Sequence, residues 1–335
     1  MAFAFKLEIC ERMRAETPLT DKQIIDSTKL RKRLLLTHKI CYYLIAKLQF
    51  KDHNSLLLRN ITKFILLLLR NIAKLFLPPL GNPIVCPTVF GFDICLSTNG
   101  GAWVYYLGFY ELGTLGIIKK CLQPGDTFID VGSSIGLMTL TASFAVGKRG
   151  KVFSFEPDAK RYENLLNSIA INNIENVVAL NCGLGMEKKS TRLYKDRCSP
   201  SLVEVKRNAP YETAKVASLD SILNKRKIST VKFVKIDVEG YEDEVLMGAE
   251  ELLKKTNAPI ICIEYAKNMV RNSRDKDFFD FIQSNNDYKF FQLEKTKDTV
   301  SKLRPVKGKF ELRTHDNLFC FLDSHIKYLP KEMFN

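Results

Sequence analysis

The stretch Phe128-Ile-Asp130-Val-Gly132-Ser133-Ser134-Ile-Gly136 sets one acid, two glycines and two hydroxyls at the end of an apolar run. A strand that enters a glycine turn and then a helix presents its backbone to a small ligand, because glycine permits a sharp turn and a close approach. The spacing is DxGxxxG, which differs from the GxGxxG of dinucleotide folds. A carboxylate at Asp130 would repel a pyrophosphate and suits an ammonium group, such as that of a methionine moiety.

A second acid follows at a telling distance. Glu156 stands in Phe155-Glu156-Pro157, 24 residues past Gly132, where a second strand would end. An acid there can accept both hydroxyls of an adenosine ribose. The bland alternative is a surface acid that caps the helix starting from Asp158.

The third group is Phe233-Val-Lys235-Ile-Asp237-Val-Glu239-Gly240-Tyr241-Glu242. A buried strand would deliver Lys235, Asp237 and Glu239 to its C-terminal end, where open α/β sheets bind ligands. A lysine and two carboxylates crowded at that edge are costly unless they act on a ligand or on each other. Glu264, at the end of the next strand, and His315, just before the last, complete the general-base candidates. Asp237, Glu239 and Glu264 are also the acids a divalent metal would use, but nothing fixes a third ligand's geometry, and no metal is expected.

These residues need elements to position them. From Gly125 onward, apolar runs alternate with helical patterns, as in a βαβ sheet. The predicted strands are Thr127–Val131, Lys151–Phe155, Val177–Asn181, Val231–Asp237, Pro259–Glu264, Tyr288–Gln292 and Asn317–Leu322. The clearest helix is Tyr241–Lys255, with Val245, Leu246, Ala249, Leu252 and Leu253 on one face and acids in its first turn. Residues 1–77 contain no Gly and a single Pro, so they read as helical, and Pro78-Pro79 with Gly81-Asn82-Pro83 mark a boundary. The organisation is therefore a basic helical extension (1–80), an aromatic-rich lead-in (81–124) and an α/β domain (125–335). In the lead-in, Trp103, Tyr105, Tyr106, Phe109 and Tyr110 would either wall a pocket or cover the sheet edge.

The quoted blocks resemble the FkbM-type methyltransferases, a branch of the class I S-adenosylmethionine-dependent enzymes. The matching residues are Pro124-Gly125-Asp126 through Gly132, Phe155-Glu156-Pro157, Ser218-Leu219-Asp220-Ser-Ile-Leu223 and Lys235-Ile-Asp237-Val-Glu239-Gly240, and they span about residues 85–325 in order. The resemblance implies a doubly wound, Rossmann-like sheet of seven mostly parallel strands whose last strand is antiparallel, and O-methylation of a hydroxyl. It implies that Asp130, Gly132, Ser134 and Gly136 hold the methionine end of S-adenosylmethionine and Glu156 the ribose, with Ser133 also in the cofactor site and Asp237 near the transferring methyl. The chain departs from the family at Ser133-Ser134, where Ala-Asn is usual.

The expected activity is methyl transfer to a hydroxyl of a glycan, lipid-linked glycan or small metabolite, with Asp237, Glu239, Lys235 and Glu264 as catalytic candidates. Two rivals are an NAD-dependent oxidoreductase and a non-catalytic membrane- or nucleic-acid-binding protein on the same fold. Residues 1–80 hold 15 Lys/Arg against 6 Asp/Glu, out of a net charge of +14, so an anionic partner is expected there. Because the rest is nearly balanced, nucleic acid is disfavoured. Within 56–77, Arg59, Lys63, Arg70 and Lys74 would form one basic stripe on an otherwise apolar helix, suited to an anionic membrane surface and too interrupted to span a bilayer. The nine cysteines form no CxxC pair and no signal peptide is evident, which points to a cytoplasmic protein, peripheral on the inner membrane face. Substrate-recognition residues are expected in 82–124 and 184–216.

Overall fold

Helix α1 (Asp21–Gln49) leads, in a computed structural model that describes residues 21–49, 65, 67–73, 84–96, 102–195, 199–204, 208–266, 278–308, 311–313 and 315–334. A hairpin follows, β1 (Ile84–Pro87) paired antiparallel with β2 (Asp93–Leu96). Leu34 of α1 is buried in the same apolar cluster as Cys86, Ile94 and Tyr105. His38 stands between two carbonyls, its Nδ1 2.9 Å from Pro87 O and its Nε2 2.8 Å from Tyr105 O. The described part of the basic N-terminal region is therefore docked on the lead-in rather than separate from it. Of residues 56–77, only 65 and 67–73 are described, as helix; Arg59, Lys63 and Lys74 lie outside the described residues.

The lead-in continues with α2 (Ala102–Leu107) and α3 (Leu112–Cys121). The α/β unit then runs β3 (Thr127–Val131), α4 (Leu137–Val146), β4 (Lys151–Phe155), α5 (Ala159–Ile171) and β5 (Val177–Leu180). After β6 (Gly183–Leu184), β7 (Lys189–Tyr194) and β8 (Tyr211–Ala217) come α6 (Leu219–Arg226) and β9 (Phe233–Ile236). The chain closes with α7 (Glu242–Met247), α8 (Glu250–Leu253), β10 (Ile260–Ala266), α9 (Phe278–Asn285), β11 (Lys289–Leu293), β12 (Leu303–Val306), β13 (His315–Phe321) and α10 (Asp323–Tyr328).

The main sheet has the order β12-β11-β13-β10-β9-β3-β4-β5. Strands β5, β4, β3, β9 and β10 are mutually parallel, and β13 runs antiparallel between β10 and β11. All seven predicted strands are present, two with the predicted bounds and five shifted by one or two residues at one or both ends. The expectation of seven strands with one antiparallel member is corrected to eight with two, since β12 adds an antiparallel edge beside β11. Its four residues include Pro305, which an edge strand tolerates because the outer side of the ladder needs no N–H. Two apolar clusters cover the two faces of the sheet, one containing Phe128, Phe233 and Phe319, the other Ile129, Val234 and Leu318.

Two further expectations change. Residues 183–217, which include the stretch 184–216, carry the small sheet β6-β8-β7, which sequence patterning missed because β7 reads Lys-Ser-Thr-Arg-Leu-Tyr and only its last two residues are buried. The single helix Tyr241–Lys255 is broken into α7 and α8 at Gly248. A Cβ there would lie 2.0 Å from Gly185 O, and Gly248 O accepts from Asp220 N at 2.9 Å. The Asp220 carboxylate then accepts the backbone N–H groups of Glu251 and Leu252 and serves as the missing cap of α8. The predicted apolar face is intact, with Val245, Leu246, Ala249, Leu252 and Leu253 all buried.

Candidate active site

Parallel pairing of β3 with β9 sets Asp130 beside Lys235, and the next strand sets Cys262 on the other side of Lys235. The C-terminal ends of β3, β4, β9 and β10 open onto a cavity of about 480 Å³. Its lining includes Asp130, Gly132, Ser133, Ser134, Glu156, Lys235, Asp237, Glu239 and Glu264, so nine of the ten predicted site residues meet there. Gly136 does not line it; its φ of 91° turns the chain into α4 against Leu165. Gly132 lines the cavity, but a Cβ on it would lie 1.9 Å from Asp237 O. The glycine thus lets β3 close against β9, a packing reason that the reading of ligand approach had missed.

Asp130 is wholly buried, and Thr139 Oγ1 donates to its Oδ2 at 2.6 Å. Its Oδ1 is buried without a hydrogen-bond partner. Burial pushes the carboxyl above its ordinary range, with Lys235 opposing. Glu156 accepts from Ser134 N at 2.7 Å and from Asp158 N at 2.9 Å. Burial raises it to about 7, although Arg161 pulls the other way. Asp158 caps α5 by accepting from Arg161 N, so the cap that the alternative reading assigned to Glu156 is supplied by Asp158. Ser134 occupies the left-handed region at φ 50°, and Arg161 Nη1 donates to its Oγ at 3.1 Å.

Beside Asp130, a cluster of charges continues the lining. Lys235 Nζ lies 2.8 Å from Asp237 Oδ2, both largely buried. Burial works against charge in each, yet Lys235 is raised by Asp237, Glu111 and Asp130, while Lys235 and then Lys297 hold Asp237 down to about 2. Glu239 sits at φ 57°, with its backbone oxygen accepting from Ser201 Oγ. Burial raises its carboxyl, and Asp237 and Glu264 add to the effect. Glu264 Oε1 meets two partners, Lys297 Nζ at 2.5 Å and His315 Nε2 at 3.0 Å. The hydrogen bond to Glu264 raises the His315 pKa, opposed by partial burial and Lys297. His315 is 60% exposed at its side chain and lines the cavity, which a lone loop histidine would not need to do.

Sequence reasoning missed Lys297, Glu111, Arg161 and Arg70. Lys297 pairs with Glu111 at 2.7 Å, and Asn317 Nδ2 donates to the second oxygen of Glu111 at 3.1 Å. No local pattern marks Lys297: it lies in the turn after β11, and only folding brings it to residues 33 and 186 positions away. Glu111 did follow the aromatic cluster, and its left-handed φ of 49° was not readable from sequence. Arg70, expected on a membrane-facing stripe, lines the cavity instead, whereas Leu67, Leu68 and Ile72 of the same helix are exposed. The aromatic cluster divides: Tyr105, Tyr106 and Phe109 are buried, and Tyr110 lines the cavity. The side chain of Trp103 lies outside the described residues. Among the described residues, one oxygen each of Glu111, Asp237 and Glu264 lie within 4.8 Å of one another. The third acid beside Asp237 and Glu264 is thus Glu111 rather than Glu239.

Residues 130–290 match the methyltransferase FkbM domain, just under half of the chain. Among curated proteins, the chain is 26% identical over 161 residues to Methyltransferase 1 of Beauveria bassiana, covering 40% of this chain and 64% of that one. It is 26% identical over 151 residues to the hexuronic acid methyltransferase AglP of Haloferax volcanii, covering 45% and 61%. The chain thus spans less than two thirds of the length of each. Among solved structures, fibrillarin of Aeropyrum pernix with bound S-adenosyl-L-methionine is 11% identical, covering 71% of this chain and 93% of that one, with a TM-score of 0.35.

Proposed function

From a chain whose residues 130–290 match the methyltransferase FkbM domain, we propose an S-adenosylmethionine-dependent O-methyltransferase acting on a hydroxyl of a glycan, lipid-linked glycan or small metabolite. The observation that carries this reading is the buried, unpartnered Oδ1 of Asp130 in a cavity that Asp237, Glu264 and His315 also line. An orphaned carboxylate oxygen is costly, and an ammonium group satisfies it. Glu156 has lone pairs left after accepting its two backbone N–H groups, enough to accept ribose hydroxyls. When bound, the cofactor supplies a methyl group on a sulfonium, a good leaving group, so positioning provides much of the acceleration.

An alcohol acceptor must also lose a proton as it attacks. Asp237, held at about 2 by two lysines, is a weak base at neutral pH and is better suited to orienting the hydroxyl. His315 fits the base role: Glu264 holds one ring nitrogen and the other is available to the acceptor. Tyr110 and Val104 line the cavity, and the tyrosine ring offers a sugar an apolar face. The hydroxyl specificity is supported by this base arrangement, and a sugar acceptor by the likeness to the Haloferax hexuronic acid methyltransferase.

Calorimetric titration with S-adenosylmethionine, run beside NAD, tests the cofactor. Saturable binding of the first alone, weakened about tenfold or more in Glu156→Gln through loss of a charged acceptor, is the expected result. Binding of NAD alone would overturn the proposal.

A further inference from the structure

Three carboxylates whose oxygens lie within 4.8 Å of one another are the donor set of a divalent-metal site. Here the space between two of them is already taken. Lys297 Nζ stands 2.7 Å from Glu111 Oε1 and 2.5 Å from Glu264 Oε1, with the Tyr110 ring 5.9 Å away. Asp237 contributes to the same field, since Lys297 is one of the two cations that hold its carboxyl down. A metal bonded to Glu111 and Glu264 oxygens at about 2.0–2.6 Å would press against that ammonium, and two cations in contact in a buried site repel strongly. Lys297 is also anchored. Its backbone N donates to Asp316 Oδ1 at 2.9 Å, and its carbonyl accepts from Gly113 N at 2.9 Å and Thr114 N at 3.2 Å.

We propose that Lys297 is the fixed cation of this active site, its ammonium standing where Glu111, Asp237 and Glu264 would otherwise hold a divalent metal. Lys297 does not line the cavity, so it is a positioning residue. It balances Glu111 and Glu264, and Glu264 in turn holds His315 toward the acceptor. A metal would bind the acceptor oxygen directly; the ammonium acts one carboxylate removed, leaving proton removal to His315. The catalytic meaning rests on the methyl-transfer reading, whereas the exclusion of metal from the cluster does not.

The test uses Mn²⁺ alone as probe, by calorimetry on the full chain. Wild-type protein is expected to show no site at the cluster. Lys297→Ala is expected to gain one Mn²⁺ per chain, at least about tenfold tighter than any wild-type binding. Adding Asp237→Asn to that variant should abolish the gain, and Lys297→Arg, which keeps the charge, should not show it. If Lys297→Ala and the near-isosteric Lys297→Gln both fail to fold, recovery of folding by Mn²⁺ supports the proposal and no recovery overturns it. A folded Lys297→Ala with no new site also overturns it, as does one Mn²⁺ per wild-type chain that is lost in Asp237→Asn. A parallel S-adenosylmethionine titration of the wild type separates the two claims, because its failure would sink the cofactor reading and leave the Mn²⁺ result intact.

Discussion

At the scale of single residues, the site is governed by burial acting on charge. Asp130, Glu156 and Glu239 are each pushed upward, while Asp237, with two lysines against it, is held far below. Environments that drive like groups apart are how one site holds both an orienting anion and a proton acceptor. The groups facing His315 are Glu264 from β10, Lys297 from the turn after β11, and Glu239 from the turn after β9. Their sum raises His315 above 6.5. Only the neutral ring can accept a proton, so turnover should rise with pH through an apparent pKa above that value. Replacing His315 by Ala should cost about 10²–10⁴-fold in kcat and remove the pH step. Cofactor affinity should be unchanged. A full-speed variant with the step intact would remove His315 from the mechanism.

At the scale of elements, short polar residues set where helices start and stop. Ser218 caps α6 by accepting from Ser221 N, and two residues later Asp220 reaches across to cap α8. The Ser-Leu-Asp block is thus structural: it ties the start of α6 to the break at Gly248. Asp220→Ala leaves two N–H groups of α8 uncapped and should lower stability by about 1–2 kcal/mol, read as a lower midpoint in urea unfolding. Unchanged stability would mean that water replaces the carboxylate without loss. Gly113 plays a related part in α3. A Cβ there would lie 2.6 Å from Thr299 O and 2.9 Å from Lys297 O, so the bare backbone lets α3 press on the turn that carries Lys297.

At the scale of the whole molecule, the N-terminal region bears on both the site and the surface. Helix α1 is held to the lead-in by Leu34 and His38, and Arg70 reaches the cavity. Binding to an anionic membrane remains a proposal. It draws support from the charge of residues 1–80 and from the exposed Leu67, Leu68 and Ile72. Deleting the region would strip cover from the core, so neutralising Arg59, Lys63 and Lys74 to Gln is the cleaner test. Each basic side chain near such a surface contributes about 1 kcal/mol. Flotation with anionic liposomes should therefore fall by about two orders of magnitude, and undiminished flotation would refute the idea.

The sequence by itself determined the sheet's parallel core and the identity of most cavity residues. Strand runs such as Phe233–Ile236, the glycine turn after Asp130 and the acids at strand ends are local signals, written in consecutive residues. In an open α/β sheet, strand C-termini converge whatever their sequence separation, so nine of the ten predicted site residues reached one cavity. The tertiary structure decided what these residues do to one another. Lys297 and Glu111 carry no local signature, and their placement depends on β13 inserting between β10 and β11 and on α3 packing over the turn after β11. The break at Gly248 and the membership of Arg70 in the cavity were likewise set by distant contacts. Periodicity reports which side of an element is apolar; the charge that meets a buried carboxylate is chosen by packing between elements, which no window along the chain contains.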